Sequence, residues 1–543
     1  MDELAGPPSS APVPAVPPRG RGSARGERPP LVRRGRPGQR PLSRALLAPT
    51  ALAAALAAVY VAVAPPSADL AAQAFRADLF AREGFTVVST AWFGGHHTPG
   101  YSVLAPALGA TLGTELTGAL AAVAATFLFG LLTRSAAAAA LIVPALIATL
   151  VSGRTTFALG AACGIGATLA AGRGRTALAA AGGILTALAS PVAALFAGIA
   201  GAAYVLTRAR ARAGFALGAG AALTTLALVV AFPEGGTFPF VASSFLPVFA
   251  LALAAAWLAP PRSPLRAGAL LYALIALAVF VVPSPIGGNA ARLGVLVAAP
   301  ALILLLWPRS KVAVALLALP LAYLVVQAPA RDVARAHDDP ATHARFHQPL
   351  VDWLEKRGEA RRVRIEVPLT QNHGEANLLA RHVAIARGWE RQVDRDRAAL
   401  FYADDDLDPR AYLAWLRENA VTYVALPQGV PLDAAGDGEA ELLRSGRAAG
   451  LREVARPRGW RVYAVDRPQP LGVDTLTPTG FTVSRSGTVR VRWSPYWAVT
   501  TGRGCVQRAP GDWTQVRVES AAPVRVTARF DPRRIRSTGV RCR

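Results

Sequence analysis

Methionine, cysteine and lysine are almost missing from this chain of 543 residues. It carries one methionine, three cysteines and, among 58 basic residues, only two lysines, Lys311 and Lys356. The scarcity of lysine beside abundant alanine and arginine reflects a GC-rich coding bias and carries no functional information. Three cysteines leave room for one disulfide at most. Acids are scarce as well, 34 against 58 cations, and between residues 109 and 330 only Glu115 and Glu234 are acidic. Ion-coupled transporters place acids in mid-membrane, so this shortage weighs against that class. No HExxH or comparable histidine spacing occurs, and no metal ligand set is assigned, although a divalent cation stays open as a cofactor.

What the chain has instead is apolar length. Hydrophobic residues make up 52% of it. They fall in runs of about 16 to 20 between residues 45 and 328, the length that crosses a bilayer core of about 30 Å. The expected fold class is a polytopic α-helical membrane protein. Candidate spans lie at 45–64, 115–132, 136–151, 155–172, 177–190, 192–207, 213–231, 241–259, 267–282, 293–307 and 312–328, about eleven in all.

The formal charge of +24 does not point to nucleic acid, and none is expected as a partner. Much of the excess lies in the 1–44 tail, rich in Pro, Gly, Ser and Arg and expected to be disordered, and in alternate loops. Those loops hold Arg134, Arg173 and Arg175, Arg208 to Arg212, Arg262 and Arg266, and Arg309 with Lys311. All of them fall on the side of the tail. The positive-inside rule then puts the amino terminus in the cytoplasm and the carboxy-terminal third outside, in a multi-pass protein of the plasma membrane. The sequence AVA before Pro65-Pro66 faintly resembles a signal-peptidase site. Proline directly after the cut and the many later spans make the first span an uncleaved anchor instead.

On the exterior side the 65–108 loop concentrates Asp69, Asp78, Glu83 and the pair His96-His97. Its end, 98–113, is apolar but short and broken by proline and glycine, which suits a helix lying on or re-entering the membrane. After residue 327 the composition turns charged. Residues 338–470 alternate strand-like segments (362–369, 421–427, 460–466) with helix-like ones (EANLLARHVAIARG, PRAYLAWLRENA), the pattern of a small α/β domain. Residues 471–543 read as a small antiparallel β domain. It holds Cys505 and Cys542, which could bond on an oxidising side, whereas Cys163 lies in a span as a packing residue.

The candidate chemistry lies in the exterior loops. Arg154 and Arg292 are exceptions in loops otherwise nearly free of cations. A guanidinium at headgroup level clamps a phosphate with parallel hydrogen bonds, or it only snorkels to bulk headgroups. Arg292 follows PSPIGGNAA, where the glycines allow close approach and Asn289 offers an amide. Asp69, just beyond the first span, is either a general base toward an acceptor hydroxyl or the N-cap of the helix after it. Asp78 and Glu83 read as partners of Arg76 and Arg82. His96 and His97 point apart in any regular strand and would share an ion only in a loop, so they are assigned to hydrogen bonding with a polar ligand or with Asp69. Trp92, Phe93 and Tyr101 form a sugar-stacking or lipid-facing wall, or an interfacial aromatic belt.

An acid after the first span, a long first exterior loop, about eleven spans and an exterior carboxy-terminal domain together resemble the C-type membrane glycosyltransferases. These use polyprenyl-phosphate sugars and include protein mannosyltransferases, mycobacterial arabinosyltransferases and oligosaccharyltransferases. WFGGHHTPGYSVLAPAL, IARGWERQVD and YLAWLRENAVTYVALP look like the corresponding passages of bacterial members. The resemblance covers roughly residues 45–470. It implies inverting transfer from a polyprenyl-phosphate-linked sugar to a cell-envelope glycan or lipid acceptor at the outer face. Asp69 takes the place of the family acid; the residues themselves, not the resemblance, make Arg292, Arg154, His96, His97, Asn289 and Tyr101 the expected substrate-binding groups. The second acid of a DxD-type pair has no match. The rival expectations are a transporter or lipid flippase, and a non-catalytic envelope-assembly protein.

Overall fold

In the computed structural model the described residues are 42–403 and 406–539. The tail expected to be disordered lies, except for its last three residues, outside them. Apolar composition sets the first part of the fold. Seven helices are long and apolar enough to cross a membrane: Leu42–Val63, Thr114–Thr133, Thr155–Gly172, Ala211–Ala231, Pro264–Val281, Gly287–Leu306 and Lys311–Ala336. Four shorter apolar helices stand between them: Ala136–Val151, Thr176–Ala189, Pro191–Leu206 and Ala242–Leu258. Each expected span therefore coincides with a helix, and seven of the eleven have full spanning length among the described residues.

Alanine dominates the contacts between the central helices. Ala167, Ala171, Ala179, Ala187, Ala194 and Ala197 form one buried cluster. Between helices in lipid the drive is close backbone packing rather than water exclusion, and small side chains permit it. The helix Lys311–Ala336 runs on past its apolar part and brings Asp332 and Arg335 to the foot of the carboxy-terminal region.

The first loop forms a helix, Ala68–Glu83, a two-residue hairpin pairing Val88–Ser89 with His96–His97, and a nine-residue helix, Leu104–Leu112. The last is too short to span. It lies against Ala68–Glu83, with Gly109 facing Ala77.

The carboxy-terminal region is built from two kinds of sheet. In the first, strands Ala384–Ile385, Arg364–Glu366 and Val421–Pro427 run parallel, followed by Trp460–Val465 and Leu451–Ala455 in antiparallel pairing. Helices Ala344–Lys356, Pro409–Glu418 and Ala434–Arg444 accompany it. One expected helix is absent. EANLLARHVAIARG forms a π-helical turn, Glu375–Leu379, and then the strand Ala384–Ile385. Ile385 pairs with Ile365 and donates its backbone N–H to Ala91 O, so the apolar stripe is that of a buried strand.

Beyond residue 471 a four-stranded and a three-stranded antiparallel sheet enclose a core of Phe481, Val491, Trp497, Val516, Val524 and Val526. Cys505, on the strand Gly504–Ala509, is disulfide-bonded. Its expected partner Cys542 lies outside the described residues. Cys163 is free.

First loop and carboxy-terminal region meet at the same end of the helices. Trp92 Nε1 donates to Ala376 O at 2.9 Å, Arg76 pairs with Glu390 at 2.7 Å, and His97 Nε2 lies 3.0 Å from Ser494 Oγ.

Candidate active site

Two prolines end the first helix, and Ser67 in extended conformation occupies the N-cap of Ala68–Glu83. Asp69 is therefore not the cap. It sits in the first turn, where the helix dipole favours a carboxylate. Its Oδ2 accepts from Arg154 Nε at 3.2 Å and lies 3.8 Å from an Arg292 terminal nitrogen. The three side chains come from three separate segments, each positioned by its own backbone.

Arg154 follows Gly153, whose φ is +71°. A Cβ there would stand 2.3 Å from Leu70 N and 2.4 Å from Ser67 Oγ. Only glycine lets this turn press against the start of the Asp69 helix. Arg292 is the second residue of Ala291–Leu306, after the turn Gly287–Ala290. Gly287 has φ +43° and comes so near Phe238 that a Cβ would lie 1.6 Å from its carbonyl oxygen. The Arg292 guanidinium lies over the Phe157 ring at 5.4 Å and has no hydrogen bond among the described residues.

These residues line a cavity of about 1510 Å³. Its lower wall is apolar and runs among the helices through Leu195, Val229, Val248 and Ile275. Its upper wall is polar and belongs to the carboxy-terminal region: Trp389, Glu390, Arg391, Arg395 and Tyr402. The chamber thus has an apolar lower part and a charged upper part.

Most upper-wall groups are already engaged. Trp389 stacks on the His373 ring at 3.4 Å, and the Arg391 guanidinium lies 4.6 Å from its ring centre. Arg391 forms a two-pronged pair with Asp433 at 2.9 and 2.8 Å. Burial pushes the Asp433 carboxyl up, but the Arg391 hydrogen bond and the nearby His373 and Arg391 outweigh it, leaving the group at about 2. Glu390 is pushed up by burial against the opposing pull of Arg76.

Tyr101 accepts from Gln73 Nε2 at 2.9 Å and lies under the Arg76 guanidinium at 4.0 Å. Burial, then the nearby Asp69 charge, raises its phenol, so it stays protonated. Asn289 lines the cavity with no side-chain hydrogen bond among the described residues.

The histidine pair separates, as a strand requires. His97 lines the cavity edge and sits 3.1 Å from Glu234. His96 points away into the core, stacked on Trp92 at 5.3 Å, with both ring nitrogens unpartnered and burial lowering it to about 3. His96 is thus outside the cavity, and neither histidine bonds Asp69. Asp78 pairs with Arg82, and Glu83 accepts from the Thr479 hydroxyl, both away from the cavity.

Sequence reasoning passed over Glu234. It bridges His97 and Arg397, the latter at 2.9 Å, and ties the 232–241 loop to both other parts of the roof. Burial pushes its carboxyl up, but Arg397 and His97 prevail and hold it at about 2. The available signal was that it is one of two acids in the helical part. Among the described residues no three His, Cys, Asp or Glu side chains converge as a metal site would need.

Among known proteins, no family model matches this chain. No curated protein matches it either. Solved structures of the arabinofuranosyltransferase AftD from mycobacteria are similar to it. One is 16% identical with a TM-score of 0.43 and covers 81% of this chain. Two of a point mutant are 14% and 16% identical with TM-scores of 0.45 and 0.46, each covering 81%. The chain spans 40% to 42% of the length of these structures.

Proposed function

We propose that this protein is a membrane glycosyltransferase that moves a sugar from a polyprenyl-phosphate donor to a cell-envelope acceptor at the outer face of the membrane. The observation that carries the reading is the position of Asp69. It lies beside two guanidiniums where an apolar chamber between helices gives way to a polar one. A polyprenyl chain suits the apolar wall, and its phosphate then sits at the level of Arg292.

The two arginines divide the work. Arg154 gives its Nε to Asp69 and fixes the carboxylate. Arg292 makes no hydrogen bond among the described residues and keeps its planar fork for the donor phosphate. The acceptor hydroxyl loses its proton to Asp69 as its oxygen bonds to the anomeric carbon. The bond from that carbon to the phosphate oxygen breaks, and the phosphate leaves with the electron pair. Arg292 stabilises the negative charge that grows on it. Attack from the face opposite the leaving group inverts the anomeric centre. Asn289 and the Tyr101 hydroxyl are placed to hold polar groups of the sugar.

An amphipathic chamber also suits a lipid transporter, which needs no general base. The two readings part on one experiment. Purified protein in lipid is supplied with a radiolabelled polyprenyl-phosphate sugar and envelope glycan extract. Label transferred to glycan supports the enzyme. Donor binding with no transfer under any acceptor supports the transporter.

A further inference from the structure

The carboxy-terminal sandwich touches the helical part through aromatic side chains at the end of one span. Tyr496 donates its hydroxyl to Ala231 O at 2.6 Å, at the last residue of the helix Ala211–Ala231. Phe232 follows and is buried. Phe530 packs on both, with ring centroids 5.5 Å from Phe232 and 5.5 Å from Tyr496. Yet Phe530 stays 47% exposed. In the last helical turn beside it Val230, which does not line the cavity, is 40% exposed as well. In a spanning helix that valine faces lipid tails, so Phe530 continues the apolar belt at its upper rim.

Cations surround Phe530. Arg529, Arg533 and Arg536 are exposed and Arg534 is half-buried. None of their side chains has an ion pair or hydrogen bond among the described residues. The only acid in the segment, Asp531, caps the Pro532–Arg534 turn and accepts the Arg533 backbone N–H at 2.9 Å. Elsewhere in the sandwich Arg508 pairs with Asp512 at 2.9 Å.

We propose that residues 529–536 form a strap that docks the sandwich onto the membrane leaflet, with Phe530 in the headgroup–tail boundary and the arginines on anionic lipid phosphates. Charge complementarity and continuity with the lipid-facing Val230 select this occupant. Each arginine near an anionic surface adds a modest, salt-sensitive attraction, and four side by side hold a domain edge against it. The dock would fix the height of the sandwich, and through Ser494 and His97 the roof of the cavity, relative to the bilayer. It does not depend on the enzymatic reading.

The test uses the full chain in nanodiscs of phosphatidylcholine alone or mixed with phosphatidylglycerol. Hydrogen exchange of the 529–536 amides should slow several-fold in the anionic discs, and high salt should remove the difference. A spin label on Phe530→Cys, in a Cys163→Ala background, should collide with membrane-dissolved oxygen and be shielded from an aqueous nickel chelate. Changing Arg529, Arg533 and Arg536 together to Gln should abolish the lipid dependence of exchange while the remaining amides keep their protection. Equal exchange in both kinds of disc, or a label reached only by the aqueous reagent, overturns the proposal. The exchange measurement on the unaltered protein decides the matter even if a variant fails to fold.

Discussion

Arg154 donates its Nε to the carboxylate of Asp69 at 3.2 Å although 85 positions separate them in the chain. The contact rests on Gly153, which lets the turn between two helices touch the start of a third. Replacing Gly153 by Ala puts a methyl group against backbone and strains a positive φ. It should cost roughly 1 to 3 kcal/mol of stability. It should also move Arg154 off Asp69, so transfer should fall further than the loss of folded protein explains. Thermal unfolding in detergent and turnover per folded molecule measure the two effects. A Gly153→Ala protein with unchanged melting and turnover removes the close approach from the account.

His96 gives a signature in pH. Its folded-state value is lowered to about 3, against about 6.5 in an unfolded chain. Above pH 6.5 both states are neutral and the group contributes nothing. As pH falls below 6.5 the unfolded state takes up a proton that the folded state refuses, so stability drops. At pH 5 the loss is about 2 kcal/mol. His96→Phe keeps the stack on Trp92 and removes the titration. Melting temperatures of this variant should fall less between pH 7 and pH 5 than those of the wild type. Parallel profiles would show that His96 is not the cause.

Glu234 is the joint of the roof. Its value near 2 lies below the unfolded carboxylate range, so its contribution is fully present at neutral pH and fades only as pH falls through about 4.5 toward 2. Glu234→Gln leaves Arg397 and His97 without their anion and should destabilise by roughly 3 kcal/mol at pH 7. A double-mutant cycle with Arg397→Gln measures the coupling. Additive effects would show that the pair does not hold the roof.

Much of this arrangement was legible in the sequence because hydropathy is a local property. The eleven apolar stretches coincide with helices, ten of them to within a few residues at both ends, and the strands at 421–427 and 460–465 carry their β-branched and aromatic residues openly. The cavity residues Asp69, Arg154 and Arg292 stood out as charges out of place. What stayed hidden depends on tertiary contact. EANLLARHVAIARG has an apolar spacing that serves a helix or a buried strand, and only the neighbour Ile365 decides between them. Trp389, Arg391 and Tyr402 look like ordinary surface residues until the carboxy-terminal region closes over the helices. His96 and His97 look equivalent in sequence, and strand alternation sends one to the core and one to the cavity edge.

Orientation is open to direct labelling. Ser484 and Arg210 are both exposed, at opposite parts of the chain. Cysteine at Ser484 should react with a membrane-impermeant maleimide in intact cells, and cysteine at Arg210 only after lysis. The reverse pattern would place the cavity mouth on the cytoplasmic side and exclude an outer-face reaction.

The most direct measurement of the central claim is donor binding and sugar transfer by purified Asp69→Asn and Arg292→Ala proteins in lipid. Asp69→Asn preserves shape and should bind a polyprenyl-phosphate sugar nearly as the wild type does while losing turnover by roughly 10²-fold or more. Arg292→Ala should weaken both binding and turnover, and Arg292→Lys should recover only part, because an ammonium lacks the planar fork. Wild-type transfer by Asp69→Asn, or undiminished donor binding by Arg292→Ala, would contradict the account.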